Sequence, residues 1–174
     1  MVLLAWLLAD FITGLIHWFE DKCLNDNSKY KFIQAVTDDN ILHHKKPTAL
    51  CELTIWKNID TSVVIAWPLA VVLYLAGAPH IISLAVFFAS FGNLVHMWAH
   101  QRRAKVPYLV QLAQGIGLMG SQEHHFGHHY INGRVVTKGE AKIRYCVMTD
   151  WLNPFLDYIG FFDKLEKIIN GRGR

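Results

Sequence analysis

Residues 61–100 read TSVVIAWPLAVVLYLAGAPHIISLAVFFASFGNLVHMWAH, and this stretch contains no lysine, arginine, aspartate or glutamate. Two apolar runs, residues 61–78 and 81–100, meet at the short link Gly77-Ala78-Pro79-His80. Each run approaches the roughly 20 residues that a helix needs to cross a hydrocarbon core. Pro68 lies inside the first run, and membrane helices tolerate proline where neighbours satisfy the backbone. The stretch therefore predicts a tight hairpin of two membrane spans.

A third span is predicted at the start of the chain. Residues 2–19, VLLAWLLADFITGLIHWF, are apolar except for Asp10, Thr13 and His17. At about 1.5 Å per residue this run is roughly 27 Å long, close to the thickness of the hydrocarbon core. No basic residue precedes it, so we expect a retained span and not a cleaved signal peptide. The composition agrees, because 52% of the residues are hydrophobic and only 18% are charged. We predict one all-α, multi-pass membrane domain over residues 1–174, with about three spans.

The positive charges predict the orientation of these spans. All 17 lysines and arginines lie in residues 22–57 or 102–174. Three crossings put segments 20–58 and 101–174 on the same side of the membrane. The positive-inside rule makes that side cytoplasmic. We expect an integral membrane protein of a bacterial inner membrane or the endoplasmic reticulum, with no nucleic-acid partner.

Two further segments carry weaker patterns. Residues 106–119 are apolar but too short to span, and they predict an interfacial or re-entrant helix. Residues 150–169 alternate aromatic and charged side chains at helical spacing. That pattern indicates an amphipathic helix, which either lies on the membrane surface or packs on the rest of the domain.

Histidine is the most informative residue type. The chain has ten, and nine fall in a few tight clusters: His17, His43, His44, His96, His100, His124, His125, His128 and His129. The predicted topology brings these nine to one layer at the cytoplasmic face. His80 lies in the hairpin link on the opposite side. Imidazole is the commonest metal ligand among neutral side chains, so we expect a metal site at that face.

Helical spacing supports this interpretation. Residues four apart share one face of a helix, so His96 and His100 can chelate together. In HHFGHH, residues 124–129, positions 124 and 128 form one column and positions 125 and 129 form the next. One helical segment can therefore serve two neighbouring metal ions.

The motifs narrow the metal chemistry. The HExxH motif of metalloproteases is absent, and no Glu-x-x-His pair of the carboxylate-bridged di-iron bundles exists. Nine histidines are more than the three or four ligands that one zinc site needs. A haem held by His17 and His96 would leave seven of them unused. A histidine-rich di-iron centre uses the inventory best, since imidazole suits iron. Asp10 and Asn93 have two interpretations, either as groups that orient a ligand or as partners in helix–helix hydrogen bonds.

Five motifs, taken in chain order, resemble those of the Kua/CarF lipid desaturases. They are ADFITGLIHW, the histidine pair of ILHHKKPTA, NLVHMWAH, HHFGHH and TDWLNPFLDYIGFF. The resemblance implies a membrane di-iron enzyme that removes two hydrogens from a lipid chain with O2 and external electrons. It implies that the nine clustered histidines are catalytic metal ligands for two iron ions. It also implies a phospholipid or ether lipid substrate and a b-type cytochrome or ferredoxin as electron donor.

The resemblance favours attack near the headgroup, with conversion of a plasmanyl ether lipid to a vinyl-ether plasmalogen as the first expectation. An acyl-lipid desaturase or a hydroxylase with the same site, and a metal or haem membrane protein without lipid chemistry, are the alternatives. We expect replacement of His124 or His128 by alanine to abolish activity, and replacement of His80 to leave it intact.

Overall fold

The structure is a computed structural model that describes residues 1–24 and 26–170, so the last four residues of the predicted domain lie outside the described part. It is predominantly helical, as the sequence predicted. The helices are α1 (Val2–Lys22), α2 (Lys31–Lys45), α3 (Ile55–Leu75), α4 (His80–Ala89), α5 (Gly92–His100), α6 (Tyr108–Gly115), α7 (Gln122–His129), α8 (Leu152–Tyr158) and α9 (Phe161–Asn170). Short 3-10 turns cover Pro47–Glu52, Arg103–Lys105 and Lys138–Glu140. A two-residue hairpin pairs β1 (Tyr130–Ile131) with β2 (Arg134–Val135).

Two helices, α1 and α3, are long and apolar enough to cross a membrane. The helix α3 begins at Ile55, earlier than the predicted start at residue 61. The Thr54 side chain caps this earlier start by accepting a hydrogen bond from the backbone N–H of Lys57 at 3.2 Å. Pro68 stays inside the helix, as expected for an apolar span.

The third candidate span is bent, which the sequence did not predict. Helices α4 and α5 meet at a 42° bend and together pass the same test of length and composition. At the bend the Ser90 hydroxyl donates to the Phe87 carbonyl at 2.6 Å and accepts from Trp67 Nε1 at 3.1 Å. Just beyond it, a Cβ on Gly92 would lie 2.7 Å from the Thr13 side chain. The bend therefore lets α5 approach α1 closely.

Small residues bring α1 and α4 together. Ala5, Ala9 and Ala85 are fully buried in one cluster, and small side chains are what allow apolar helices to pack closely. Val147 and Met148, from the connection before α8, complete this cluster. A non-helical segment therefore packs among the apolar helices.

The segment after α6 also turns back along α1. The Trp6 indole donates to the Leu118 carbonyl at 2.8 Å. Trp6 precedes His17 by three turns of α1, so Leu118 lies roughly 16 Å along the helix from the level of His17. The chain at Leu118 therefore runs beside the apolar helix α1.

Helix α9 packs on the rest of the domain through the first half of its length. Phe162 and Leu165 contact the cluster that contains Trp18 and Tyr145. Ile168 and Ile169, farther along the same apolar face, stay exposed. The single amphipathic helix predicted over residues 150–169 is instead two helices, α8 and α9, separated at Gly160, whose φ of 61° is left-handed. The second of them packs on the domain through its first turns.

Candidate metal centre

Four helices bring most of the clustered histidines together at one end of α1. Side chains from α1, α2, α5 and α7 form two adjacent groups, in each of which the candidate ligand atoms lie within 4.8 Å of one another. The first group, here the five-histidine group, is His43, His96, His100, His125 and His129. The second, here the aspartate group, is His17, Asp21, His44 and His128.

Ring nitrogens of the five-histidine group converge at ligand spacing. The Nε2 atoms of His96 and His125 are 2.7 Å apart, those of His96 and His100 are 3.1 Å apart, and those of His125 and His129 are 3.0 Å apart. With metal–nitrogen bonds of about 2.1 Å, two ligands at a right angle lie about 3.0 Å apart. The observed spacing fits imidazoles that share one metal ion.

His43 provides a second sign of a metal ligand. It is buried, and neither of its ring nitrogens has a hydrogen-bond partner within the described residues. Burial, reinforced by His100 nearby, holds the pKa of His43 well below its usual range. The imidazole is therefore neutral, with a lone pair free for a metal. Burial likewise lowers the pKa of His125 and His129.

Asp21 is the centre of the second group. Its two carboxylate oxygens lie 3.1 Å from His44 Nε2 and 3.2 Å from His128 Nε2. Asn40 Nδ2 donates to Asp21 Oδ1 at 2.9 Å, which fixes the orientation of the carboxylate. His17 Nε2 faces the same region, is buried, and has no hydrogen-bond partner in the described part of the chain.

The opposite nitrogens of these imidazoles are anchored on backbone carbonyls. When Nδ1–H donates to a carbonyl, the lone pair of the neutral ring is on Nε2, the nitrogen turned towards Asp21. Buried metal ligands are commonly oriented in this way. The three pairs are His17 with Tyr145 at 3.0 Å, His44 with Val136 at 3.3 Å, and His128 with Ile143 at 2.8 Å.

Arg144 lies in the chain between Ile143 and Tyr145, whose carbonyls bond to His128 and His17. Its backbone φ of 60° lies in the left-handed region, which side chains other than glycine rarely adopt. This left-handed turn separates the two residues that carry these carbonyls, Ile143 and Tyr145. The guanidinium donates to the His124 carbonyl at 2.7 Å and occupies the space where a Cβ on Gly127 would be. The glycine in HHFGHH therefore lets Arg144 lie against α7.

The donor set fits a transition metal. It combines neutral imidazoles with one carboxylate, and several of its buried nitrogens have no other partner within residues 1–24 and 26–170. Imidazole and carboxylate ligands suit first-row metals, iron among them. The two groups can therefore hold metal ions.

Eight of the nine predicted histidines lie in these groups, and His124 does not. His124 Nε2 instead accepts a hydrogen bond from Asn153 Nδ2 at 2.9 Å. His125 and His129 belong to one group and His128 to the other, so α7 contributes to both. His80 is exposed at the start of α4, beside the Tyr74 ring and at the opposite end of the α4–α5 pair from His100.

Asp10 and Asn93 make no contact with the imidazoles that the structure records. The Asp10 carboxylate accepts hydrogen bonds from the backbone N–H of Met148 and from the backbone and hydroxyl of Thr149, at 2.6–3.1 Å. It therefore acts as an anchor between segments. Asn93 is exposed.

The sequence reasoning missed Asp21. A usable signal was present, because Asp21 follows His17 by four residues and the two share a face of α1. The Glu-x-x-His pattern does not include this pair, because the two residues are four apart and the acid is an aspartate.

The fold and the site define a class, namely helical proteins with apolar spans and a histidine-rich metal centre. Within that class, the lipid desaturase domain family matches residues 6–173, so the chain belongs to this family. The resemblance drawn from the five motifs is thereby confirmed.

Relatives of known name agree with this assignment. The chain is 28% identical over 169 residues to fatty acid desaturase 4-like 2, chloroplastic, of Arabidopsis thaliana, which covers 95% of this chain and 57% of the relative. It is 28% identical over 181 residues to plasmanylethanolamine desaturase 1 of Mus musculus, covering 95% and 62%. It is 24% identical over 170 residues to a probable fatty acid desaturase of Acanthamoeba polyphaga mimivirus, covering 97% and 80%. The chain thus spans about three fifths of the length of the plant and mouse proteins. No solved structure matches it.

Proposed function

We propose that this protein is a membrane desaturase that removes two hydrogens from adjacent carbons near the headgroup end of a lipid chain. The observation that carries the proposal is the pair of adjacent ligand groups, five imidazoles beside three imidazoles and a carboxylate. Family membership supports lipid chemistry at this site.

The residues in the two groups would hold two iron ions. His124 belongs to neither group, so its role as a ligand stays a prediction from the sequence. Two iron ions, when bound, supply the oxidising power to take hydrogen from unactivated carbon with O2. The reaction balances when one O2, two electrons from an external donor, two protons and two hydrogen atoms of the chain become two waters. We propose a b-type cytochrome or a ferredoxin as the donor.

The protein's own work is to position ligands and to exclude water. Buried imidazoles with lowered pKa, such as His43 and His125, stay neutral and keep their lone pairs for the metal. The carbonyls of Ile143 and Tyr145 hold two ring orientations of the aspartate group. A rigid, enclosed site of this kind places the two C–H bonds and protects the oxidant from water.

The location of the site argues for attack near the headgroup. His17 and Asp21 lie at the C-terminal end of α1, where an apolar span would reach the membrane interface. Carbons next to the headgroup lie at the same depth, so no long tunnel is required. The distribution of lysine and arginine supports a cytoplasmic active site in a bacterial inner membrane or the endoplasmic reticulum.

The first candidate substrate is a plasmanyl ether lipid, which would yield a vinyl-ether plasmalogen. The name of the mouse relative supports this choice. The second candidate is an acyl chain of a phospholipid, which the names of the plant and viral relatives favour.

Expression in a host without either activity, followed by mass spectrometry of the extracted lipids, tests the proposal. We expect a product two hydrogens lighter than its precursor, and acid lability distinguishes a vinyl ether from an acyl alkene. His129→Ala is the inactive control, and His80→Ala, far from the site, should remain active. A product that has gained oxygen would instead identify a hydroxylase. Unchanged lipids together with a haem absorption band would identify a haem protein.

A further inference from the structure

A pocket of about 580 Å³ opens beside the aspartate group. It lies between the C-terminal ends of α1 and α2 and the chain at residues 135–139. Asp21 and His44 are part of its wall, whereas its lining within the described residues includes no member of the five-histidine group. This pocket therefore reaches the aspartate group and not the five-histidine group.

The two groups also differ in their number of donors, and the aspartate group has fewer. Five imidazoles converge in one group, and three imidazoles with one carboxylate converge in the other. Metal sites that bind external ligands keep a position that the protein does not fill. The group with fewer donors has more room for such a position, and it is the group that the pocket reaches.

Charged side chains of both signs line the pocket, including Lys22, Lys45, Lys138 and Asp26. Lys22 pairs with Glu166 at 3.3 Å and donates to the Gly139 carbonyl at 2.8 Å. Lys138 pairs with Asp26 at 2.7 Å. The remaining lysine, Lys45, is exposed at the end of α2. Its positive charge favours the approach of a small anion.

We propose that this pocket is the entrance for small exogenous ligands to an open coordination position on the ion held by the aspartate group. The ion in the five-histidine group already has five protein donors and accepts none. The inference rests on the proposed function to the extent that both groups bind metal. It assigns the ligand-accepting position to the aspartate group and the route to the pocket beside that group.

Gly139 offers a direct way to obstruct the route. It lines the pocket, and a Cβ added there meets no atom within 4 Å, so a large side chain enters open space. The test variant is Gly139→Trp. Gly115→Trp is the matched control, because a Cβ on Gly115 also meets nothing within 4 Å and α6 does not line the pocket. Lys45→Trp obstructs the opposite wall, and it replaces Gly139→Trp if that variant fails to fold.

Azide is the probe, added to iron-loaded full-length protein and followed by optical absorption. We expect one azide to bind per chain, with affinity weakened about tenfold or more in Gly139→Trp and unchanged in Gly115→Trp. Unchanged affinity in both pocket variants, or two azides per chain, would overturn the proposal.

Release of iron to a water-soluble chelator provides a second readout without azide. We expect two phases, of which Gly139→Trp slows only the faster one, because the chelator reaches the aspartate group through the pocket. A single phase, or two phases that the pocket variants leave unchanged, contradicts the assignment. Neither readout uses lipid turnover. Iron-loaded protein that binds azide but desaturates nothing would therefore contradict the proposed function alone, and protein that binds no iron would contradict both.

Discussion

At the residue scale, the four histidines of HHFGHH have different surroundings although they look alike in sequence. His125, His128 and His129 are buried among other imidazoles, whereas His124 is paired with Asn153. The sequence placed His124 and His128 in one column of α7. Asn153 and Arg144 come from later in the chain and contact the side chain and the backbone of His124.

These surroundings predict different effects of alanine at two positions of the same column. His128→Ala removes a ligand of the aspartate group, so we expect bound iron to fall to about half of the wild-type content. His124→Ala removes a hydrogen bond to Asn153, and both ions should remain bound. Elemental analysis of purified protein measures the difference. Equal loss of iron from both variants would contradict the grouping.

Asn40 is expected to affect the metal without touching it. Its amide holds Asp21, so Asn40→Leu should weaken metal binding by about 10–100-fold, the range for groups that orient a ligand. Thr37→Val is the matched control, since Thr37 is also buried on α2 but its hydroxyl donates to the Ile33 carbonyl within the same helix. Competition with a chelator measures the affinities. A similar loss in both variants would mean that the effect of Asn40 is on folding alone.

The sequence was informative about ligands for a definite reason. Repeats such as HMWAH and HHFGHH put two donors on one face of a helix, and that relation is local. Selecting among the donors depends on non-local contacts, such as those of Asn153 and Tyr145. Asp21 could have been found from its spacing to His17. Asn40 could not, because Asn40 and its partner Asp21 lie on different helices.

At the element scale, hydropathy predicted the spans but not how irregular segments pack against them. The bend between α4 and α5 depends on Ser90 and on the close approach of Gly92 to Thr13. Neither residue breaks the apolar pattern, so the run at residues 81–100 looked like a straight span. The packing of Met148 against Ala5 and Ala85 was equally invisible, because it joins distant parts of the chain.

Asp10 is the anchor for that packing, which leads to a prediction about stability. Asp10→Ala leaves the backbone N–H groups of Met148 and Thr149 buried without an acceptor. At about 1–3 kcal/mol for each, we expect a loss of about 3 kcal/mol in the free energy of unfolding. Denaturant titration in detergent measures this loss, with Asp39→Ala on an exposed position of α2 as the control.

The same variant separates the two roles considered for Asp10. As an anchor, it should leave the iron content of the folded fraction unchanged. Loss of iron without loss of stability would instead support a role in orienting a metal ligand.

At the scale of the whole molecule, the fold gathers eight imidazoles, seven of them buried, in one site. Segments far apart in sequence, around His17, His43 and His128, meet at one end of the first span. Their buried nitrogens lack partners within the described residues, so the metal-free fold carries unsatisfied polar groups. Metal that binds the folded state alone therefore stabilises it by mass action.

This arrangement predicts how the stability of the metal-free protein depends on pH. Burial lowers the pKa of His43, His125 and His129 in the folded protein, while unfolded histidines titrate near pH 6.5. Below that pH the unfolded chain binds more protons than the folded chain, so the free energy of unfolding falls as the pH falls. For three such groups the loss between pH 7.5 and pH 5.5 is on the order of 4 kcal/mol.

Thermal unfolding of chelator-treated protein at the two pH values measures this dependence. We expect a lower midpoint at pH 5.5, and a smaller difference between the two pH values in His129→Ala, which lacks one of the buried imidazoles. His80→Ala, which removes an exposed histidine at the far end of α4, should retain the wild-type difference. Iron should raise the midpoint more at pH 7.5 than at pH 5.5, because protons compete with the metal for the same nitrogens. A midpoint that does not change with pH would show that these imidazoles are not held neutral by the fold, and the case for a preformed metal site would lose its physical basis.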